Sequence, residues 1–138
     1  MRHMATAFLT KDFTKASGPA RVAAVEAGLP VKMLRVVMRD YGFRIADLAR
    51  IIAPRRTLER RLEAGERLSI EESDRLARLI RLLELTKDVF DDNASAIVWL
   101  SAAHDTFNGR TPLDLLRTEE GGRMVEDRLL RLKHGFFA

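Results

Sequence analysis

The sequence has 138 residues, of which 46% are apolar, only 7% are aromatic and none is cysteine. This length allows one or two small domains, and the lack of cysteine excludes disulfides, thiolate metal ligands and cysteine nucleophiles and favours a reducing compartment. No run approaches the ~18 apolar residues of a membrane span, and the first residues lack the apolar segment of a secretory signal. We therefore expect a cytoplasmic protein with no membrane partner.

Charge divides the chain into two unequal halves. Residues 1–68 hold 14 Lys and Arg against 7 Asp and Glu, whereas residues 69–138 hold 10 against 13. A basic half followed by a mildly acidic half favours two different partners, and ordinary surface charge with a chance asymmetry is the alternative.

The first half of the chain predicts an arm followed by four helices. The opening twenty residues are weakly periodic and end in Ser17-Gly18-Pro19, which predicts a mobile arm over residues 1–20. Apolar residues at helical spacing then predict helices over residues 21–28, 31–42, 44–53 and 56–65. The residues expected to end them, by a left-handed cap or by a proline ring, are Gly28, Gly42, Pro54 and Gly65.

The second half also reads as helical. Ser69 and Glu72 form a capping box, which opens a helix with a dense apolar stripe at Leu76, Leu79, Ile80 and Leu83. A short apolar helix bears the single tryptophan, Trp99, which we expect in the core. Further helices are predicted from Pro112 and from Thr118, and the last carries a stripe of Val125, Leu129, Leu132 and Phe136. With no strand pattern, the predicted fold class is all-α.

Residues 45–65 have the proportions of a helix-turn-helix, with a helix, a tight turn and a second short helix. Leu58 and Leu62 suit the inner face of the second helix. The residues left for its outer face, where they would contact DNA, are Arg55, Arg56, Thr57, Arg60 and Arg61. The guanidinium group of arginine can form bidentate hydrogen bonds to a guanine edge or to phosphate. The alternative is a solvated helix face whose arginines bond Glu59, Glu63 and Glu66.

The chain further resembles a known family. The segment RTLERRLEAGERLSIEESDRLARL, then VF, then WLSAAHDTFNGRTPLDLLRTEEGGRMVEDRLLRLKHG is similar to antitoxins of the Xre/MbcA/ParS group, the partners of RES-domain toxins. The similarity starts near residue 30 and keeps the order of the family's two halves. One departure is Ala103-His104, where relatives often carry proline and asparagine, and it bears on the turn after Trp99.

The resemblance implies an Xre-like helix-turn-helix domain over residues 21–85 and a toxin-binding domain over residues 86–138. It implies a type II antitoxin that binds a NAD-degrading RES toxin, obstructs the toxin active site with its C-terminal segment and represses its own operon on operator DNA. The residues implied for the obstructing segment are Arg131, Lys133, His134, Gly135, Phe136, Phe137 and Ala138.

Phe136 and Phe137 near the C-terminal end favour the existence of a binding partner, because exposed phenylalanines promote aggregation unless a pocket receives them. Phe136 has an alternative place against the core of its own helix, whereas Phe137 lies off the apolar stripe. Gly121-Gly122 either allows close helix packing or lets the terminal segment adjust on binding, and the sequence alone does not distinguish these.

Nothing in the sequence predicts catalysis. The histidines at 3, 104 and 134 have no neighbour at metal-ligand spacing, and Gly121-Gly122 lacks the Lys-Ser/Thr of a phosphate-binding loop. We therefore expect a protein that acts by binding, without a cofactor or a metal.

Two other functions stay open at this point. A stand-alone helix-turn-helix regulator would use its C-terminal half only to dimerise, and an interaction module would no longer bind DNA. A homodimer is expected of any helix-turn-helix protein that reads a two-fold operator. The first two helices after the arm are candidates for its interface.

Overall fold

In a computed structural model of the chain, residues 10–135 are described, and their regular structure is helical. The one β-bridge in this range is isolated and joins His104 to Arg110, with no strand among the described residues, so the all-α prediction is confirmed. A 3-10 turn covers Asp105–Phe107. The α-helices are α1 (Thr10–Lys15), α2 (Gly18–Ala27), α3 (Lys32–Tyr41), α4 (Ile45–Ala49), α5 (Arg55–Ala64), α6 (Ile70–Phe90), α7 (Asn93–Ser101), α8 (Pro112–Leu115) and α9 (Glu119–Lys133).

The described part of the predicted arm, residues 10–20, is helical except at residues 16 and 17, where we had expected a mobile segment. Helix α1 buries Phe13, and the Arg21 guanidinium lies 5.6 Å from the centre of that ring. The Arg21 Nε also donates to the Phe13 carbonyl at 3.0 Å. Ser17 then caps α2 by accepting from the Ala20 amide at 3.2 Å. A six-residue helix has too little periodicity to be recognised, and its order comes from docking. Residues 1–9 lie outside the described range.

The chain divides into two compact units, the first ending at Ile80 and the second beginning at Arg81. In the first unit, α2 ends at Gly28, as predicted, and a β-carbon there would lie 2.5 Å from the Leu68 carbonyl oxygen. The next amide, of Leu29, donates to the buried Ser73 hydroxyl at 2.8 Å. The turn after α2 is thereby held against the start of α6. The large side chains that fill this core are Leu29, Met33, Leu34, Leu48, Ile52, Leu58, Leu76, Leu79 and Ile80.

Helix α4 is shorter than predicted. It ends at Ala49, and residues 50–53 form a turn in which Ile51, Ile52 and Ala53 are buried. Pro54 lies beyond this turn, and its ring cannot continue the helix, as predicted. Pro54 instead begins α5, because its carbonyl accepts from the Leu58 amide at 3.1 Å.

In the second unit the predicted helix starts at Thr111 and Thr118 are confirmed, and Asp92, which was predicted only as part of a turn, is a further cap. Asp92, Thr111 and Thr118 accept from the amides of Ser95, Asp114 and Gly121 at 2.7, 3.1 and 2.9 Å respectively. Such bonds satisfy donors that the first turn of a helix leaves free. The structure also decides the role of Gly121, where a β-carbon would clash with the carbonyl group of Leu115. The glycine therefore permits close packing of α9 on α8.

Candidate functional site

Helix α5 presents a basic face to solvent. Leu58 is fully buried on its inner side, as predicted, and Leu62, one turn later, is half-buried. Arg56 and Arg60 are four residues apart and therefore share one face, and both are exposed. Thr57 is half-buried beside them. The structure therefore brings the two arginines together on the side of α5 opposite its core contact.

The ion pairs made by this face are weak. Arg55 Nε lies 3.3 Å from Glu59 Oε2, and Arg60 Nε lies 3.7 Å from Glu66 Oε1, all on side chains about half exposed or more. Exposed pairs of this kind contribute roughly 0–1 kcal/mol and are screened by salt. A phosphate or a guanine edge can therefore replace the carboxylates at little cost.

Arg61 has a different role from the one predicted. Its side chain is only 18% exposed, and its Nε lies 2.7 Å from Glu72 Oε1. The Nε hydrogen is not directed at that oxygen, so this contact is an ion pair, and the hydrogen bond to Glu72 comes from Nη2 at 3.3 Å. Nη1 also donates to the Arg67 carbonyl at 3.3 Å. Arg61 thus fastens the end of α5 to the start of α6 and does not face outward.

Glu72 is the centre of this junction. Its carboxylate accepts from the Ser69 amide at 2.9 Å, and its own amide donates to the Ser69 hydroxyl at 3.1 Å, which is the predicted capping box. Burial by itself would raise the pKa of Glu72. The hydrogen bonds from Ser69 and Arg61, with the charge of Arg61, outweigh burial and hold the pKa below its ordinary value. Glu72 is therefore a carboxylate at neutral pH.

Sequence reasoning missed two basic residues of the same motif. Arg44 and Arg50 flank α4, the first helix of the helix-turn-helix, and both are exposed. The first helix of such a motif crosses the DNA backbone. Arg44 was the first residue of the predicted helix over residues 44–53, whereas Arg50 lay inside it, so only the observed end at Ala49 places Arg50 at the helix end.

Four rings form a cluster in the second unit. Trp99 lies 5.7 Å from Phe90, 5.0 Å from His104 and 6.1 Å from Phe107, measured between ring centres. Phe107 is buried, whereas Trp99, which was expected in the core, is half-buried and lines an open groove. The prediction for Trp99 was therefore wrong in part, because one face of its ring is left uncovered.

His104 holds the turn after Trp99. Its Nε2 lies 2.8 Å from the Trp99 carbonyl, and a carbonyl only accepts, so Nε2 carries the proton of this bond. The backbone of His104 also accepts from the amides of Phe107 at 2.9 Å and Gly109 at 3.0 Å. The Ala103-His104 departure therefore sits in an ordered turn whose histidine serves packing.

The groove beside Trp99 has a volume of about 450 Å³. None of the side chains that line it carries a formal charge with histidine neutral; they are Phe90, Ala94, Ser95, Val98, Trp99, Ala102 and His104. A second depression shares Phe90, Trp99 and His104 with the groove and extends to Arg128 and Leu132. A third extends from Arg128 to Arg131. The groove is thus continuous with the outer side of α9, where one of the predicted toxin-binding residues lies.

The predicted toxin-binding residues divide into described and undescribed ones. Arg131 is exposed, with its Nε 3.0 Å from Asp127 Oδ2, and the Lys133 Nζ lies 3.7 Å from Asp88 Oδ2. His134 and Gly135 are exposed beyond the end of α9. Phe136, Phe137 and Ala138 lie outside the described residues.

Comparison with known proteins gives a family match for each of the two regions, the helix-turn-helix and the C-terminal half. The model of the antitoxin Xre-like helix-turn-helix domain matches residues 20–81, and the model of the antitoxin Xre/MbcA/ParS C-terminal toxin-binding domain matches residues 86–135. An antitoxin Xre of Yersinia enterocolitica is 32% identical over 123 residues, which are 88% of this chain and 83% of that protein. The chain belongs to the Xre/MbcA/ParS antitoxin family.

Two further Xre antitoxins are similar. The protein of Photorhabdus laumondii is 30% identical over 128 residues, which cover 91% of this chain and 86% of that relative. The protein of Pseudomonas putida is 38% identical over 85 residues, but these are 62% of this chain and only 54% of the relative. The chain thus matches about half the length of that relative.

The Xre family assignment places the two surfaces in different domains. The arginine face of α5 lies within the helix-turn-helix match, and every residue of the Trp99 groove lies within the toxin-binding match. No helix in the described part of the chain is long and apolar enough to cross a membrane. The groove was missed by sequence reasoning, although the absence of charge from residue 93 to residue 103 was visible.

Proposed function

We propose that this chain is a type II antitoxin that neutralises a RES-domain, NAD-degrading toxin and represses its own operon. The observation that carries the proposal is the toxin-binding match over residues 86–135, which contains every residue of an open apolar groove. We place DNA binding within residues 21–85 and toxin binding within residues 86–138. The chain acts by binding in the cytoplasm, without catalysis and without a cofactor.

Neutralisation is proposed to come from insertion of the C-terminal segment into the toxin active site. Arg131, Lys133 and His134 put two cations and an imidazole at the exposed end of α9. NAD carries two phosphates, so a site that degrades it must accommodate negative charge, and basic side chains complement such a site. The segment continues as Gly135, Phe136, Phe137 and Ala138, which supply apolar bulk.

Operator binding is proposed for α5 in a homodimer. Arg55, Arg56, Thr57 and Arg60 would contact bases and phosphates, and Arg44 and Arg50 would contact the backbone. Arg61 is left out, because its guanidinium is held by Glu72. A two-fold protein is needed because one short recognition helix reads few base pairs.

The test uses the purified product of the neighbouring reading frame. Its consumption of NAD is measured alone, with the full chain, and with a chain that ends at Leu132. We expect the full chain to silence NAD consumption and the shortened chain to bind without silencing. A product that degrades NAD but is neither bound nor silenced by the full chain would reject the antitoxin proposal and leave a stand-alone DNA-binding regulator.

A further inference from the structure

Helix α7 has an outer face that lacks any charge. Residues 93–103 contain no Asp, Glu, Lys or Arg. Ala94, Ser95 and Val98 are nevertheless exposed, and Val98 has the largest exposed fraction, 69%, among the large apolar side chains of the described residues. A helix that is apolar all round is normally covered on every side. The outer face of α7 is therefore built for contact with another molecule.

The groove on this face offers a place for a side chain. Trp99, which is half-buried, forms one wall, Phe90 and His104 extend the aromatic surface, and the small residues Ala94 and Ala102 leave room between them. Tryptophan in a partly covered pocket is the residue type that most often carries binding energy at interfaces. The absence of charge excludes a polyanion such as DNA as the natural occupant.

We propose that the Trp99 groove is an anchor site that receives an apolar side chain from an uncharged segment of the toxin. The inference rests on the proposed antitoxin function and adds a contact that is separate from the C-terminal segment. Two observations favour the toxin over a second copy of this chain. All seven lining residues fall inside the toxin-binding match, and the depressions run on from the groove to Arg131 on α9.

The anchor and the C-terminal segment then have different tasks. Burial of apolar surface beside Trp99 supplies affinity, because it removes Val98 and the indole from water. The end of α9 supplies inhibition, because it is the part that reaches the toxin active site. A toxin bound only through the groove would be held and still active.

The decisive variant is Val98→Asp. Its side chain is so exposed that an aspartate there should leave folding intact, yet in the complex it would place an unpaired carboxylate against an apolar partner. We expect the affinity for the purified neighbouring-frame product, measured by calorimetry, to fall about 30-fold or more. Ala94→Glu is a second variant on the same wall of the groove. The matched control is Val22→Asp on α2, where the valine is 57% exposed, and its affinity should stay within about twofold.

A second readout reports the groove itself. Trp99 is the single tryptophan of the chain, so incorporation of 5-fluorotryptophan gives one fluorine resonance. Addition of the toxin should shift this resonance for the full chain and equally for the chain that ends at Leu132. The Val98→Asp chain should need about 30-fold more toxin for the same shift.

The outcomes separate the anchor from the antitoxin function. If the full chain silences the toxin and Val98→Asp binds as tightly as the parent, or the resonance does not move, the anchor is rejected and the antitoxin function stands. If Val98→Asp dissociates a homodimer but keeps its toxin affinity, the groove binds a second copy and the anchor is again rejected. If the full chain does not bind the toxin at all, both proposals fail.

Discussion

Helices α5 and α7 are both short and each exposes one face, but the two faces differ in chemistry. The α5 face carries Arg56 and Arg60, which water solvates well and which need no cover. The α7 face carries Ala94 and Val98, whose exposure is unfavourable until a partner covers them. The chain thus holds two kinds of exposed surface, a basic one that is suited to a polyanion and an apolar one that is suited to an apolar segment.

Binding through the two surfaces should depend on salt to different degrees. Binding through arginine to phosphate releases counterions, so it weakens as salt rises. Binding through an apolar groove changes little with salt and is accompanied by a negative heat-capacity change. The following predictions are arranged from the largest expected effect to the smallest.

Gly121→Ala should break the toxin-binding half alone. A methyl group there meets the Leu115 carbonyl, so α9 must move away from α8. We expect the free energy of unfolding of the second unit to fall by about 3 kcal/mol, and most of the toxin affinity to be lost. Unfolding in urea is measured by the fluorescence of Trp99. The control is Gly18→Ala, where the added methyl group meets nothing within 4 Å.

The operator affinity of the same Gly121→Ala chain tests whether the DNA-binding half functions independently of the toxin-binding half. If operator binding measured by fluorescence anisotropy stays near the parent value, the helix-turn-helix half works independently. A matching loss of operator binding would show that the second half is needed for the DNA-binding dimer, as expected of a stand-alone regulator.

Arg56→Ala combined with Arg60→Ala should break the DNA-binding half alone. We expect operator affinity to fall about 30-fold and the slope of its salt dependence to fall by about two. Toxin affinity should not change. The control removes two other exposed arginines, Arg39→Ala with Arg123→Ala, and so has the same net charge as the test variant. An unchanged operator affinity in the test variant would mean that the arginine face does not bind DNA.

Arg60→Ala should mainly weaken DNA binding, whereas Arg61→Ala, at the adjacent residue, should mainly lower stability. Arg61 is mostly buried against Glu72, so its loss should cost about 2 kcal/mol of unfolding free energy. Arg60 is 61% exposed, and its loss should cost under about 0.5 kcal/mol while weakening DNA binding. Chemical denaturation of both variants measures the difference, and equal losses of stability would contradict the assignment.

Acid should weaken the α5–α6 junction through Glu72, with the smallest of these effects. Because the pKa of Glu72 is lowered in the folded chain, its stabilising contribution is complete above the ordinary value of 4.5 and is lost as pH falls through the folded value. Between pH 6 and pH 8 we expect no change from this group. Urea midpoints of the parent and Glu72→Gln chains, compared at pH 7 and at successively lower pH, should approach each other as the pH falls through the folded pKa of Glu72.

Local signals account for what was predictable. The capping box at Ser69 and Glu72, the caps at Thr111 and Thr118, and the end of α2 at Gly28 each depend on residues within four positions of one another. The apolar stripe of α6 is also a local pattern, and all four of its residues are buried. Short-range hydrogen bonds and helical periodicity are properties of the sequence itself, so these elements were predictable.

The sequence by itself therefore determined an all-α chain, its main helices and a family resemblance that the comparisons confirm. Tertiary structure alone decided that Arg61 faces Glu72 while Arg60 faces solvent, that Gly121 admits the backbone of Leu115, and that Trp99 lines a groove. These features depend on distances between residues that are far apart on their own helices or on different helices. Helical periodicity says which residues share a face, but only packing decides which part of that face is covered.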